Sequence, residues 1–134
     1  MKHTLVIAWL LAALIFLAMD AVWLTVMAPR LYRQEIGMLL RTGFDLLPAV
    51  LFYLLYVFGM VAFAVQPALA AGRPLAAGWR GALLGLVSYG AYDLTNQATL
   101  TGWSWRVTLA DLAWGTAATA AGAVLAGLLV LAIV

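Results

Sequence analysis

Apolar residues fill the chain in four long blocks, separated by short stretches that are polar, charged or rich in helix breakers. Each block is long enough to cross a bilayer as a helix of about twenty residues. The first follows Lys2 and covers about residues 4–27. It is too long for a secretory h-region and runs past Asp20 into Val22, Trp23 and Leu24 with no small-residue cleavage site, so it reads as a retained span. Pro29 is expected to end it. Over residues 30–44 the pattern becomes amphipathic: Leu31, Ile36, Leu39 and Leu40 recur at helical spacing while Arg33, Gln34 and Arg41 fall elsewhere, which predicts a short helix in the membrane interface.

Asp45 stands three residues before Pro48, which predicts an N-terminal cap, a proline in the first turn and an uncharged second span over about residues 46–65. Pro67, Gly72 and Pro74 then mark a connection. Trp79 and Arg80 open a third span reaching about residue 98. The link that follows pairs Trp103 and Trp105 beside Arg106, the composition of an interfacial belt. A fourth span covers about residues 107–133. The pattern thus predicts an all-α integral membrane protein: one domain over residues 1–134, an up-and-down four-helix bundle, and a short interfacial helix between the first and second spans.

Composition narrows the classes. With 67% hydrophobic and 9% charged residues among 134, the chain lies far from the soluble average of about a quarter charged. The absence of cysteine removes disulfides, thiolate metal sites and cysteine nucleophiles. A net charge of +2 spread along the chain gives no clustered footprint for nucleic acid, so membrane lipids are the expected partners. Gly115, Thr119, Ala123 and Gly127 repeat every four residues on the last span, as do Gly81 and Gly85 on the third. Small residues at that spacing let helices approach closely, and packing inside the bundle is expected ahead of a homodimer seam.

Four spans bring the termini and residues 66–78 to one side. Basic residues divide nearly evenly, with Lys2, Arg73 and Arg80 on that side and Arg30, Arg33, Arg41 and Arg106 on the other, so they do not fix an orientation. The acidic residues Asp20, Glu35, Asp45, Asp93 and Asp111 all approach the second side. Because the terminal side is purely basic, the termini are expected in the cytoplasm.

This threading places Asp20, Asp93 and Asp111 at similar depth under one face. An intramembrane aspartate costs about 2.5 to 3.5 kcal/mol at a helix centre, so it needs a partner, water or a function. Tyr89, Asp93, Asn96 and Gln97 share one helical face, Thr108, Asp111 and Gly115 another, and Trp23 follows Asp20 by one turn. The candidate ligand-binding set is Asp20, Trp23, Tyr89, Asp93, Asn96, Gln97, Arg106, Asp111 and Trp114. In a purely structural role these aspartates would pair with Arg106, Arg30 or Arg33 and with Asn96, Tyr89 and indole N–H groups, each bond contributing about 0.6 kcal/mol.

His3 is the sole histidine and lies at the opposite face, which excludes a Ser-His-Asp arrangement at the acidic end. Without cysteine or a nearby histidine a transition-metal site is not expected; Asp20, Asp93, Asp111 and Asn96 could assemble an oxygen-only site for a hard cation, but nothing in their spacing demands one, and no metal, cofactor or phosphate loop is expected. Acid–base chemistry stays open, since carboxyls in different surroundings hold different protonation states and Tyr32, Tyr89 or Tyr92 offers a further proton donor. Whether the chain is an enzyme does not follow from these residues.

The runs Asp20-Ala21-Val22-Trp23-Leu24, Leu51-Phe52-Tyr53-Leu54-Leu55-Tyr56, Tyr92-Asp93-Leu94-Thr95-Asn96 with Ala98-Thr99-Leu100, and Asp111-Leu112-Ala113-Trp114-Gly115 together resemble a bacterial family of small four-span proteins, domain of unknown function 2177. The resemblance covers nearly the whole chain and implies residence in a bacterial inner membrane; it carries no activity. The order Asp20, Pro29, Tyr32 and Asp45 is similar to the first half of small helical sterol isomerase and sterol-binding membrane proteins, which implies an apolar ligand beside carboxylates.

Three functions are therefore expected in order: binding or processing of a lipid-soluble molecule in an acidic cavity at one membrane face; a small transporter or a subunit of an ion or proton pathway; and a structural or accessory subunit of a membrane complex, docked through the small-residue seam of residues 115–127. Membrane lipids, a lipid-soluble small molecule and a homo-oligomer or membrane complex are the partners these readings call for.

Overall fold

The structure is a computed structural model that describes residues 2–134. Among the described residues the fold is all-helical, with no strand. The four long elements are α1 (Lys2–Met27), α2 (Leu46–Met60), α3 (Ala76–Thr99) and α4 (Trp105–Ile133).

Pro29 does not stop the first helix. The chain passes from α1 into a wide π-helical turn, Ala28–Tyr32, then through Arg33–Ile36 and Gly37–Leu39, so the helical path runs from Lys2 to Leu39. Proline lacks an N–H and its ring crowds the carbonyl four residues back; a widened turn accommodates both problems without breaking the axis. Instead of lying apart, this extension packs on α4: Leu31 and Ile36 are buried against Val107, flanked by Met27, Tyr32, Trp103 and Ala110. Leu39 and Leu40 stay exposed. Their exposure is where the amphipathic pattern over residues 30–44 and the observed burial part.

A second π-helical turn, Val61–Val65, carries α2 into Gln66–Ala70. Asp45 occupies the N-cap position of α2 without capping it, because its carboxylate is drawn to Arg41 at 3.1 Å. At the far end Gly72 takes φ +65 while its N–H and that of Arg73 return to the carbonyls of Leu69 and Ala68. That left-handed closure is one glycine supplies at no steric cost, and it reverses the chain within a few residues.

Among the described residues three helical paths, Lys2–Leu39, Leu46–Ala70 and Trp105–Ile133, are long and apolar enough to cross a membrane. The fourth expected span differs: α3 has the length, at 24 residues, but Ser88, Tyr89, Tyr92, Asp93, Asn96 and Gln97 dilute its hydrophobicity. The glycines of α3 set its partner. A Cβ added to Gly81 would lie 2.7 Å from the Thr119 carbonyl oxygen, and one added to Gly85 would lie 2.1 Å from that of Gly115. α3 and α4 are thus in backbone contact along an antiparallel seam, as the small-residue repeats predict. Gly115, Thr119, Ala123 and Gly127 are all buried inside the chain.

α1 presents Ala8, Ala12, Phe16 and Asp20, one turn apart, as its buried stripe. Phe16 meets Tyr56 at 5.1 Å between ring centroids, and Tyr56 bonds Thr119 of α4 at 2.7 Å. This layer joins three helices beneath the aspartates. Towards Leu46, by contrast, α2 is largely exposed, with Leu46, Leu47, Val50, Leu51, Leu54 and Leu55 open.

Candidate functional site

Asp20, Asp93 and Asp111 are all buried, at 7%, 0% and 7% exposure, and they divide into three different environments. Asp20 is held from two other helices. Its Oδ2 accepts the Tyr53 hydroxyl of α2, and its Oδ1 accepts the indole N–H of Trp114 on α4 at 3.1 Å. Asp111 accepts the hydroxyl of Tyr32, which itself accepts the Trp23 indole N–H at 2.9 Å. The π-helical turn at Pro29 is what brings Tyr32 onto α4.

The two networks share a wall. Trp23 and Trp114 stack with centroids 4.6 Å apart and planes 8° from parallel. Among the described residues none of the three aspartates is paired with arginine: Arg106 reaches Glu35 at 2.6 Å instead, and Ser104 donates to the same carboxylate at 2.7 Å while capping the Arg106 N–H of α4. Tyrosine and tryptophan donors replace the arginines because, at this depth, a neutral donor satisfies a carboxylate without a second charge having to be desolvated.

Asp93 differs from both. Neither of its oxygens has a hydrogen-bond donor among the described residues, although the side chain is wholly enclosed. Across the α3–α4 seam its carboxyl faces that of Asp111, so its polar neighbour is another acceptor. One turn further along, Gln97 accepts the Thr108 hydroxyl at 2.8 Å and donates to the Trp103 carbonyl at 3.2 Å, while the Trp103 indole donates to Thr108 at 3.0 Å. This closed ring of bonds caps the seam. Beneath the pair, the Tyr89 ring lies over Gly115, where an added Cβ would meet it at 2.3 Å, and stands edge-on to Tyr56.

The structure therefore gathers Asp20, Trp23, Asp93, Asp111 and Trp114 at the centre, with Tyr89 below and Gln97 above; Asn96 is half-buried on the same stretch of α3. Arg106 stays at the rim, its side chain 72% exposed. Trp103 closes the upper end, whereas Trp105 points out at 59% exposure. Tyr32 and Tyr53 are the essential donors that the candidate set lacks, and Glu35 is the partner that Arg106 takes. One signal for Tyr53 stands in the sequence: a tyrosine in the uncharged span over residues 46–65 has a hydroxyl that must find an acceptor on another helix.

Two surface clefts, of about 480 Å³ and about 420 Å³, lie elsewhere. The first is formed by Arg73, Pro74, Leu75, Ala76 and Trp79; the second lies between α1 and α2, from Leu5 and Trp9 to Phe58 and Gln66. Neither reaches the aspartates.

No curated protein and no solved structure matches the chain. The family described as predicted membrane protein (DUF2177) matches residues 5–128, a stretch that contains every residue of the acidic centre, and the chain belongs to that family.

Proposed function

We propose that the protein is a proton-exchanging membrane protein, in which the Asp93–Asp111 pair takes up and releases a positive charge inside the membrane. The observation that carries this reading is the Asp93 carboxyl: fully enclosed, without a donor on either oxygen, and set against a second carboxyl. Two negative charges about 4 Å apart repel by about 4 kcal/mol even at an effective dielectric near 20. Carboxyls in contact therefore share a proton or hold a cation between them, which is how paired aspartates perform acid–base work elsewhere. Tyr32 lies beside Asp111 as the next group able to pass a proton on.

The full enclosure of the Asp93 side chain, and the burial of Asp111 beside it, support an ion-sized occupant ahead of a lipid-sized one. Four crossings, with α3 hiding its polar stripe against α4, suit this role in a single domain of the inner membrane. The helical extension over residues 28–39 then covers the acidic end at the interface, and the termini share the opposite face.

The test is infrared spectroscopy on the protein in vesicles, in water and heavy water, for wild type, Asp93→Asn and Asp111→Asn. A protonated-carboxyl band that shifts in heavy water and vanishes in either variant is the expected result, together with slower dissipation of an imposed pH gradient by Asp93→Asn. A wild type with no such band, no leak above empty vesicles and no response of its melting point to sodium or potassium would end the proposal.

A further inference from the structure

The end opposite the aspartates carries a different chemistry. Lys2, Arg73 and Arg80 gather there, while all five acidic side chains belong to the other end, and none of the three cations forms a salt bridge among the described residues. Within this basic end lies the cleft of about 480 Å³ bounded by Arg73, Pro74, Leu75, Ala76 and Trp79.

Its walls are built rather than incidental. The left-handed Gly72 and the returns of the Gly72 and Arg73 N–H groups to Leu69 and Ala68 fix the backbone from which the Arg73 side chain projects. The N–H groups of Ala76 and Ala77 are likewise taken by the carbonyls of Arg73 and Pro74, so the turn is held on both sides. Trp79, one turn into α3, forms the other wall, and the Arg80 guanidinium lies 4.8 Å from its ring centroid. That contact holds a second guanidinium against the wall residue Trp79 without neutralising it.

We propose that this cleft binds the phosphate headgroup of an anionic phospholipid, with Arg73 and Arg80 as the phosphate ligands and Trp79 as the interfacial wall. Guanidinium groups recognise phosphate through paired, charge-assisted hydrogen bonds, and basic pockets at helix ends are where anionic headgroups dock. The rest of the lining argues for a lipid over free phosphate: Pro74, Leu75 and Ala76 are apolar, and exposed Leu83, Leu86 and Val87 continue along α3 below Trp79, a strip on which acyl chains can lie. This site shares no residue with the acidic centre and stands independently of its function.

The experiment is native mass spectrometry of the full chain from mixed micelles of phosphatidylglycerol and phosphatidylcholine with identical acyl chains. Wild type is expected to retain one phosphatidylglycerol in preference to phosphatidylcholine. Arg73→Ala and Arg80→Ala should each reduce that preference by about tenfold, the loss of one charge-assisted phosphate contact. Arg73→Lys should lose much of it as well, because the ammonium keeps the charge but not the fork. An undiminished preference in Arg73→Ala, or full preference in Arg73→Lys, would overturn the built site in favour of a diffuse basic surface. Displacement of the lipid by millimolar inorganic phosphate would overturn the lipid assignment. Because Arg73 is exposed in the connecting turn and Arg80 is partly exposed near the start of α3, circular dichroism should show the variants folded; a variant that fails to fold is replaced by Trp79→Phe, for which retention of one phosphatidylglycerol at weakened preference is expected and unchanged preference counts against the site.

Discussion

Trp23 and Trp114 lie face to face, 4.6 Å apart, and direct their indole N–H groups into separate carboxylate networks, Trp23 through Tyr32 to Asp111 and Trp114 to Asp20. The stack therefore locks two acidic sites of different helices into one rigid wall. Asp93 stands beside that wall, outside both networks.

Because only the Asp111 carboxyl faces Asp93 and an asparagine amide there can donate to it directly, Asp93→Asn is expected to leave the thermal midpoint in detergent unchanged or to raise it, whereas Asp111→Asn, which replaces the charged acceptor of the Tyr32 hydroxyl by a weaker neutral one, should lower it. An unsatisfied buried group costs about 1–3 kcal/mol, which is the size of gain available at position 93 and of loss at position 111. A group kept at the expense of stability is a mark of function. If Asp93→Asn melts well below wild type, Asp93 is instead a structural residue.

Tyr32→Phe should destabilise more than Tyr53→Phe. Removing the Tyr32 hydroxyl strands both the Trp23 donor and an Asp111 oxygen, while loss of the Tyr53 hydroxyl leaves Asp20 still bonded to Trp114. At about 1–3 kcal/mol per stranded buried group, the difference is measurable by denaturation in mixed micelles. Equal losses would mean that Trp23 finds another acceptor.

Gly85→Ala tests the α3–α4 contact. The new methyl would stand 2.1 Å from a backbone oxygen, which cannot rotate away, so the helices must separate at a cost of about 1–3 kcal/mol or more. Gly37→Ala is the control: nothing lies within 4 Å of its added Cβ and its φ of −54 is helical, so stability should hold or rise by up to about 1 kcal/mol. Similar melting of the two variants would contradict the tight seam.

At the rim, Ser104→Ala should cost about 0.5–2 kcal/mol through loss of the cap on α4, independent of salt. Arg106→Ala should cost only about 0.2–1 kcal/mol, and that cost should shrink as salt rises, because the Arg106 side chain is largely exposed. Melting curves at low and high ionic strength separate the two behaviours.

Much of the helical content was legible because long apolar blocks and Pro and Gly breaks translate directly into helices and turns. The α3–α4 seam was equally legible, since Gly81, Gly85, Gly115 and Thr119 repeat at the spacing that close packing needs. Placing Asp20, Asp93 and Asp111 together followed from threading alone. What the pattern concealed was partner choice: whether Asp111 takes arginine or Tyr32 depends on a rotation at Pro29 that hydrophobic spacing does not encode. Reading Pro29 as a stop failed for the same reason, because proline forbids one hydrogen bond but does not decide between a break and a widened turn. The polar face of α3 was visible residue by residue, yet only the packing distinguishes satisfied Gln97 from unsatisfied Asp93.

The widened turn at Ala28–Tyr32 also works as a phase shifter. It takes up a residue without a matching advance of the axis, so each position after it is turned by about 100° from where an unbroken helix would put it. Tyr32 against Asp111, Leu31 and Ile36 against Val107, and Glu35 against Arg106 all depend on that one offset. Their alignment is thus a matter of counting: straightening this turn into ordinary α-helix at unchanged chain length would misdirect every one of them while leaving the composition untouched, whereas removal of one residue from it would let the helix regularise with the alignment kept.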